Sequence, residues 1–471
     1  MIRHDDNYIN GEWVRAGSED FRQLTNPATE EVYGEVRRGT AEDVDRAVAA
    51  AQGALDAWSQ TDPADRAATL HAMADIMERR ADEITASVVR EIGMPVTRAK
   101  TASTGVSISD LRHFADALPD VVWEEKVGDS TVRRMAAGVV GAIGAWNGPM
   151  RSVSLKVGAA IAAGCTVVVK PSEVAPLTPH FLASVAEEAG VPAGVVNFVN
   201  GSGSIVGEAI TAHPGVDMVS ITGSVGAGAR VMEVAARRVK RVALELGGKS
   251  ANIVLEDADL EEAVRSGIDD AFRNSGQACG ALTRLLVPRA RLAEAEQLAG
   301  ETADSFIIGD PTAPRTQLGP LANADQYESV RGHISRALDA GVKLITGGLD
   351  HPAGLDRGYY VRSTVFSGTN SDRLAQEEVF GPVVIIIPFD DEDEAIRIAN
   401  DSEFGLAGGV WAGDREHARR VASRIRTGRV RINGTPIDMR APHGGFKLSG
   451  IGREMGRYGI EDYLEYQAQH G

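Results

Sequence analysis

Two residues of the chain have the types and the spacing for covalent chemistry on a carbonyl group. Cys279, one of only two cysteines, lies in the segment 272–280, which reads FRNSGQACG. Glu245 stands 34 residues earlier, in the segment 244–250, which reads LELGGKS. A lone thiol is a candidate nucleophile, and a carboxylate in a glycine-rich turn is a candidate general base. The pair predicts that sulfur attacks a carbonyl carbon and that the carboxylate activates the water that releases the product.

Other motifs of the chain resemble known sites but fail on spacing. The segment 201–207, GSGSIVG, nearly matches a dinucleotide fingerprint, but its third glycine comes one place late. Gly248-Lys249-Ser250 imitates the end of a phosphate loop, yet Ala243 stands where the first glycine is required. The chain has no C-x-x-C pair and no H-E-x-x-H helix, so we expect no metal site.

Composition limits the class of protein. At 471 residues the chain is long enough for two or three domains, and 43% hydrophobic with 24% charged residues indicates a globular protein. A net charge of −17 disfavours nucleic acid and anionic membranes as partners. The polar N-terminus, the lack of a long apolar run and the two cysteines predict a soluble, cytoplasmic protein in which Cys165 is an inert buried thiol.

The elements that position these residues alternate between helix and strand. Thr40 and Asp43 form a capping pattern ahead of a helix, and Asp62-Pro63 begins another. From residue 138 to 245 short apolar strands alternate with helices, and a second alternating stretch runs from about 252 to 435. This pattern predicts an α/β fold with parallel sheets covered by helices. The tail, 463–466, is predicted to be an edge strand that needs a partner.

Five further segments carry a resemblance to a known family. They are 145–149 (AWNGP), 170–173 (KPSE), 221–224 (ITGS), 377–382 (EEVFGP) and 444–454 (GGFKLSGIGRE). Together with the segments of Glu245 and Cys279, they resemble the aldehyde dehydrogenase superfamily, and specifically its NAD(P)-dependent, hydrolytic type that does not acylate coenzyme A. The resemblance covers essentially the whole chain, with the motifs in the order and spacing of the family.

The resemblance implies a fold and an assembly. It implies a discontinuous Rossmann-type cofactor domain (1–117 and 137–248), an α/β catalytic domain (249–455) and a small β oligomerisation element (118–136 and 456–471). The edge strand of that element would extend the sheet of a neighbouring subunit, so a homodimer or a homotetramer is expected.

The resemblance also implies roles for three catalytic residues. Cys279 would form a thiohemiacetal and then a thioester with an aldehyde substrate. Asn147 would donate its side-chain amide to the oxyanion, together with the backbone N–H of Cys279. Glu245 would activate the hydrolytic water, which indicates a free carboxylic acid as the product.

A nicotinamide cofactor follows from the loss of hydride, which no side chain can accept. By resemblance, the residues that bind it are Trp146, Lys170, Ser172, Glu173, Gly203, Gly223, Ser224, Gly228, Leu246, Gly247, Glu378 and Phe380. Glu173 would bond to the ribose hydroxyls and repel a 2′-phosphate, so we expect NAD rather than NADP.

The predicted substrate pocket departs from the commonest pattern of the family. Its candidate residues are Gly148, Ser152, Arg273, Gly280, Ile437 and His443. Gly148 stands where many members carry Phe, and Arg273 occupies a position that is often apolar. We therefore expect a polar substrate, or one with an acidic group paired to Arg273 or Arg440. The alternative is that these arginines face solvent or pair with Asp438 or Asp269.

Two other functions remain open from the sequence. One is a dehydrogenase that acylates coenzyme A or acts on a phosphorylated aldehyde. The other, from a different class, is a binding or structural protein with this fold and no turnover, since a fold does not fix a function. The intact nucleophile, base and oxyanion donor favour an enzyme.

Overall fold

Two large sheets carry the fold, which a computed structural model describes over residues 1–471. The strands of the first half are β1 (Ile2–His4), β2 (Asp6–Ile9), β3 (Glu12–Arg15), β4 (Phe21–Thr25), β5 (Val32–Arg37), β6 (Glu124–Val127), β7 (Ser130–Ala136), β8 (Val139–Ile143), β9 (Thr166–Lys170), β10 (Val196–Phe198), β11 (Met218–Thr222) and β12 (Arg241–Glu245). The helices of the same half are α1 (Ala41–Ser59), α2 (Pro63–Arg79), α3 (Ala81–Ile92), α4 (Val96–Arg98), α5 (Val106–Ala117), α6 (Pro149–Ala163), α7 (Leu177–Glu188), α8 (Glu208–Ala212) and α9 (Val225–Ala236).

The second half of the chain repeats the alternation. Its strands are β13 (Ala251–Val254), β14 (Arg284–Pro288), β15 (Lys343–Thr346), β16 (Thr364–Ser367), β17 (Val383–Phe389), β18 (Phe404–Gly405), β19 (Ala407–Trp411), β20 (Arg429–Ile432), β21 (Phe446–Lys447), β22 (Gly450–Ile451) and β23 (Leu464–His470). Its helices are α10 (Leu260–Phe272), α11 (Leu292–Asp304), α12 (Ala324–Asp339), α13 (Arg373–Gln376), α14 (Glu392–Asn400), α15 (Arg415–Ala422) and α16 (Gly456–Glu461). None of the helices is both long and apolar enough to span a bilayer.

Local signals in the sequence set the boundaries of the first two helices. Thr40 and Asp43 form the predicted capping box, in which the side chain of each accepts a hydrogen bond from the backbone N–H of the other. Asp62 caps α2, which has Pro63 at its first position, where a missing N–H costs nothing. The α/β pattern predicted from the sequence is confirmed by the structure.

The first sheet has the strand order β22-β12-β11-β8-β9-β10-β2-β3. The five strands from β12 to β10 are parallel, and β22, β2 and β3 add antiparallel edges. The chain proceeds from β8 through β9 to β10 on one side, and then returns to β11 and β12 on the other side. The winding therefore reverses between β8 and β11, and ligands of such sheets bind at the carboxyl ends of the strands at that reversal.

The second sheet has the order β15-β16-β17-β14-β13-β19-β20 and is parallel except at β15. Glu245 is the last residue of β12 in the first sheet, and β13 of the second sheet begins only six residues later. Cys279 lies five residues before the start of β14. The carboxyl ends of the first sheet therefore meet the amino ends of the second sheet at these two residues.

A separate antiparallel sheet has the order β23-β7-β6. The tail strand, predicted over 463–466, runs over Leu464–His470 and pairs along its whole length with β7 of the same chain. Six of the seven residues of β23 are exposed in the single chain.

Candidate active site

A tight turn after α10 presents Cys279. Asn274, Ser275 and Gly276 all have a positive φ, between 53° and 73°, so the chain reverses sharply before the cysteine. At Gly276 a side chain would overlap the backbone carbonyl of Gly381, so only glycine allows this approach. The hydroxyl of Ser275 donates a hydrogen bond to the carbonyl oxygen of Gly319 at 2.8 Å, which stabilises the turn.

The thiol of Cys279 and the carboxylate of Glu245 are neighbours. The distance from Sγ to Oε1 is 3.9 Å, and Glu245 is 5% exposed. Burial raises the pKa of Cys279 to about 12, and the charge of Glu245 contributes to this rise, while Arg429 and Arg273 oppose the shift. The resting thiol is therefore protonated. Cys165 is fully buried, and burial raises its pKa to about 11, as befits a structural thiol.

Asn147 lies beside the turn that carries the cysteine. Its Nδ2 donates to the backbone carbonyl of Gln277 at 3.1 Å, and its own carbonyl accepts a hydrogen bond from Asn274 at 3.1 Å. Asn147 follows β8 at the reversal of the first sheet, whereas Cys279 precedes β14 of the second sheet, so the fold brings the two segments together.

His443 contacts the carboxylate that faces Cys279. Its Nε2 is 2.8 Å from Oε1 of Glu245, and its Nδ1 is 3.1 Å from a guanidinium nitrogen of Arg429. The ligand atoms of Glu245, Cys279 and His443 lie within 4.8 Å of one another. A guanidinium can only donate, so Nδ1 accepts and Nε2 keeps its proton, which leaves this nitrogen unable to ligate a cation.

Two guanidinium groups converge beside Gly280, directly after the nucleophile. A side chain at Gly280 would collide with Arg429 and would lie 3.3 Å from Arg273. Arg273 pairs with Asp270 at 2.8 Å, and Arg431 pairs with the same oxygen at 2.7 Å. Our alternative partner for Arg273, Asp269, is thus replaced by its neighbour.

The remaining substrate candidates differ in their surroundings. Gly148 has open space where a side chain would begin, with only Arg151 at 3.9 Å. Ile437 and His443 line a cleft of about 220 Å³ that Arg429 also lines. Ser152 is buried, and its hydroxyl is bonded to the backbone N–H and carbonyl of Ala145 at 3.1 and 3.2 Å, so its contacts support the loop of Asn147 and not a pocket wall.

Arg440 is bound on the surface. Its guanidinium donates to Asp438 at 2.7 and 3.0 Å, and its side chain is 75% exposed. This is the alternative given above for Arg440, so of the two arginines predicted to bind an acidic group only Arg273 lies near the nucleophile.

At the carboxyl ends of β8 and β11, where sheets of this topology bind ligands in a crevice, the chain carries residues suited to a dinucleotide. Trp146 follows β8 and meets the ring of Phe380 edge-on, with centroids 5.3 Å apart. Gly223 and Ser224 follow β11, and Ser224 caps the twelve-residue helix α9 through Ala227 N–H at 3.2 Å. A helix N-terminus favours phosphate because its first N–H groups have no partner within the helix.

Two glycines of this crevice, Gly228 and Gly203, have different surroundings. Gly228, in the first turn of α9, lies against Leu246, and a side chain there would overlap it. Gly203 begins a short π-helical turn and has open space where a side chain would be. The residues therefore fit an extended phosphate-bearing ligand at the reversal of the sheet.

Charged residues lie at one end of the crevice, after β9. Lys170 is buried and donates to the carbonyl of Pro171 at 2.6 Å, and burial lowers its pKa to about 8. Ser172 accepts a hydrogen bond from Val174 N–H. Glu173 pairs with Arg38 at 3.0 Å, a partner that no motif indicated.

Glu378 lies at the other end of the crevice. It accepts a hydrogen bond from Gly248 N–H at 2.9 Å, and it fills the space where a side chain on Gly247 would be. Burial raises the pKa of Glu378 to about 7. Burial also lowers the pKa of Lys249 nearby to about 7.

Two residues near the nucleophile, Arg429 and Asp270, were not predicted from the sequence. Arg429 and Arg431 belong to β20, and strand periodicity places them on the same face. Two arginines on one face of a predicted strand could have indicated a buried charged cluster. Their partners, Asp270 and His443, are distant in the sequence and could not be identified from it.

The fold and the site together define a class of protein. It is that of α/β enzymes in which a Rossmann-type cofactor domain meets a second α/β domain at a cysteine and a carboxylate. The model of the aldehyde dehydrogenase family matches residues 13–469, and the chain belongs to this family.

Relatives with this architecture are similar over the whole chain. A 3-succinoylsemialdehyde-pyridine dehydrogenase from a Pseudomonas species is 47% identical over 468 residues, which is 98% of each chain. The crystal structure of a cysteine-to-alanine mutant of aldehyde dehydrogenase C from Pseudomonas syringae, with NAD+ and octanal, has a TM-score of 0.98 at 45% identity and covers 99% of this chain and 96% of that one. An aldehyde dehydrogenase from Mycobacterium tuberculosis with NAD+ has a TM-score of 0.97 at 40% identity and covers 100% and 98%.

Proposed function

We propose that the protein oxidises an aldehyde to the carboxylic acid with NAD+, through a thioester on Cys279. The observation that carries this proposal is the distance of 3.9 Å between Cys279 Sγ and Glu245 Oε1 at the junction of the two domains. Membership of the aldehyde dehydrogenase family supports it, and so do the NAD+ complexes of the two similar structures.

In this proposal each catalytic residue acts on a defined atom. The Cys279 thiolate adds to the carbonyl carbon, and Asn147 stabilises the oxyanion that forms. When bound, NAD+ supplies the acceptor for the hydride that leaves this carbon. Glu245 then takes a proton from the water that attacks the thioester, and the Cys279 thiolate leaves as the acid is released.

The proposed cofactor contacts follow the crevice of the first sheet. Gly223, Ser224 and Gly228 would hold the pyrophosphate at the start of α9, with Gly203 beside it. Lys170, Ser172 and Glu173 would hold the adenosine ribose. At the opposite end, Glu378, Phe380 and Trp146 would surround the nicotinamide ribose, next to Leu246 and Gly247.

We also propose a polar substrate. Arg273 and Arg429 both approach Gly280, and the Nε of Arg429 is buried without a hydrogen-bond partner. Guanidinium groups beside a reacting carbonyl suit a second acceptor on the substrate, either a carboxylate or a carbonyl oxygen. The relative that is named for 3-succinoylsemialdehyde-pyridine makes this compound a useful member of a substrate panel.

The division into domains and the assembly are proposals of the same kind. The segments 1–117 and 137–248 would form the cofactor domain, and 249–455 the catalytic domain, although β22 joins the first sheet from the latter. The sheet of β6, β7 and β23 would bind another subunit, because most of β23 is exposed in the single chain.

NADH absorbance tests the reaction. The purified protein is mixed with NAD+ and a panel of octanal, succinic semialdehyde and 3-succinoylsemialdehyde-pyridine, with Cys279→Ala as the matched control. We expect NADH from the wild type and none above background from the variant. Identical traces from both proteins would contradict the proposed function.

The same panel tests the substrate proposal. In Arg273→Ala, kcat/KM for succinic semialdehyde should fall by roughly 10- to 100-fold relative to octanal, because a charge-assisted hydrogen bond contributes about 1.5–3 kcal/mol. An equal change for both aldehydes would rule out an acidic group at Arg273.

A further inference from the structure

We propose that His443 is a positioning residue, which holds the carboxylate of Glu245 against Cys279 for the hydrolytic step. The proposal rests on the function proposed above and deepens it at the same site. His443 stands 198 residues from Glu245 in sequence (443 − 245), so only the fold brings them together.

The hydrogen-bond partners of His443 settle its tautomer. The guanidinium of Arg429 has donors only, so the His443 Nδ1 at 3.1 Å must be the acceptor. The ring proton then lies on Nε2, and this nitrogen is 2.8 Å from Glu245 Oε1. In our proposal, donation runs from Arg429 to His443 Nδ1 and from His443 Nε2–H to Glu245.

The buried carboxylate of Glu245 needs a hydrogen-bond donor, and in our proposal His443 supplies it. Glu245 is almost fully buried, and its Oε2 has no hydrogen-bond partner. Nε2 of His443 lies 2.8 Å from its Oε1, and the Cys279 thiol lies 3.9 Å from the same oxygen. A buried carboxylate without a donor is costly, so the loss of His443 would let it rotate or bind elsewhere.

The backbone fixes His443 in place. Its N–H donates to the carbonyl of Glu454 at 2.9 Å, and the N–H of Glu454 donates back at 2.7 Å. This isolated antiparallel bridge fixes the backbone from which the imidazole projects. Because Nε2 already carries a proton, His443 cannot accept one from the water, and Glu245 keeps the role of base. Its free Oε2 lone pairs remain available.

An ester assay isolates the step. 4-Nitrophenyl acetate acylates Cys279 without a cofactor: the thiolate attacks the ester carbonyl and expels 4-nitrophenolate, and water then hydrolyses the acetyl thioester. Stopped-flow absorbance therefore separates acylation, seen as a burst, from hydrolysis, seen as the steady rate. The variants are His443→Phe, which keeps an aromatic ring but removes the donor, and His443→Gln, which keeps an N–H donor.

We expect His443→Phe to retain a burst of one 4-nitrophenolate per subunit at a rate within about 3-fold of the wild type, with the steady rate lowered by roughly 10-fold or more. His443→Gln should restore most of the steady rate. A purely structural role would lower burst and steady rate together.

Three results would overturn the proposal. They are a steady rate in His443→Phe within about 2-fold of the wild type, an equal loss of burst and steady rate, and no recovery in His443→Gln. Because the ester needs neither NAD+ nor an aldehyde, a wild type that hydrolyses the ester but makes no NADH would contradict the proposed oxidation and leave the His443 result readable.

Discussion

At the scale of single residues, the charge of Glu245 acts directly on the protonation of Cys279. Burial is the first cause of the raised pKa of the thiol, and the carboxylate is the second. Glu245→Gln removes the second cause but keeps the shape and an acceptor for His443. The pKa of Cys279 should therefore fall, and at a fixed pH more of the cysteine should be thiolate.

The measurement is the rate of alkylation by iodoacetamide at about pH 8. We expect Glu245→Gln to react about 3- to 10-fold faster than the wild type. The larger fraction of thiolate has more effect on the rate than the lower nucleophilicity of each thiolate. Cys279→Ala serves as the control, since the buried Cys165 should not react. Slower alkylation in Glu245→Gln would mean that the carboxylate takes the thiol proton, and it would reverse this interpretation.

A second residue-scale prediction concerns the choice of cofactor. Glu173 faces Arg38, whose guanidinium could receive a 2′-phosphate if the carboxylate charge were gone. Glu173→Gln should lower KM for NADP+ relative to NAD+ by roughly 10-fold. The double variant Glu173→Gln/Arg38→Ala should lose that gain. An unchanged cofactor ratio in Glu173→Gln would show that the ribose binds elsewhere.

At the scale of elements, the ends of helices and strands are what place the site residues. Helix α7, which covers the first sheet, begins without a side-chain cap from its own segment. Glu91 of α3 supplies the acceptors instead, bound by Leu177 N–H at 2.7 Å and by Thr178 N–H at 2.8 Å. Burial raises the pKa of Glu91 from 4.5 to about 7 in spite of these bonds.

The raised pKa gives a pH dependence of stability with a definite sign. The folded protein binds the Glu91 proton more tightly than the unfolded chain, so this contribution is complete below pH 4.5 and is lost as the pH rises through about 7. The unfolding free energy of Glu91→Gln minus that of the wild type should rise by roughly 1–3 kcal/mol from about pH 5 to about pH 8. The size follows because one pKa unit is about 1.4 kcal/mol. Urea unfolding of both proteins at each pH measures this change. A difference in unfolding free energy that is the same at both pH values would contradict the prediction.

Much of the element-level description was predictable from the sequence, and the reason is local. Strands β9, β11 and β12 and helices α1 and α2 are specified by short apolar runs and by caps within a few residues. The contacts of His443 with Glu245 and of Arg431 with Asp270 were not predictable, because they join segments more than a hundred residues apart and depend on side-chain packing. The sequence indicated His443 as a residue of the substrate pocket, but it did not indicate the contact with Glu245.

At the scale of the whole molecule, the small sheet of β6, β7 and β23 exposes apolar side chains on the surface of the single chain. Val127 and Met135 are 58% and 45% exposed there. Val127 lies on the edge strand β6 and Met135 on the central strand β7, and exposed apolar residues on a small open sheet are typical of a contact between subunits. We expect light scattering to give two or four times the subunit mass of 49.9 kDa for the wild type.

The variant Val127→Lys/Met135→Lys should shift the mass toward that of a single subunit, because charges would oppose burial of the sheet. The control is Val239→Lys, at a residue that is 92% exposed and distant from this sheet in the sequence. A wild type with the mass of one subunit, or a double variant with the mass of the wild type, would contradict an assembly through this element.

The central claim is that Cys279 carries an acyl group that Glu245 helps to hydrolyse, and trapping that group tests it most directly. Glu245→Gln is incubated with NAD+ and octanal, quenched in acid, digested and analysed by mass spectrometry. The account predicts one NADH per subunit and an octanoyl group on the peptide that contains Cys279, whereas the wild type turns over without accumulating it. Continued turnover by Glu245→Gln at the wild-type rate, or an octanoyl group on any other residue, would contradict it.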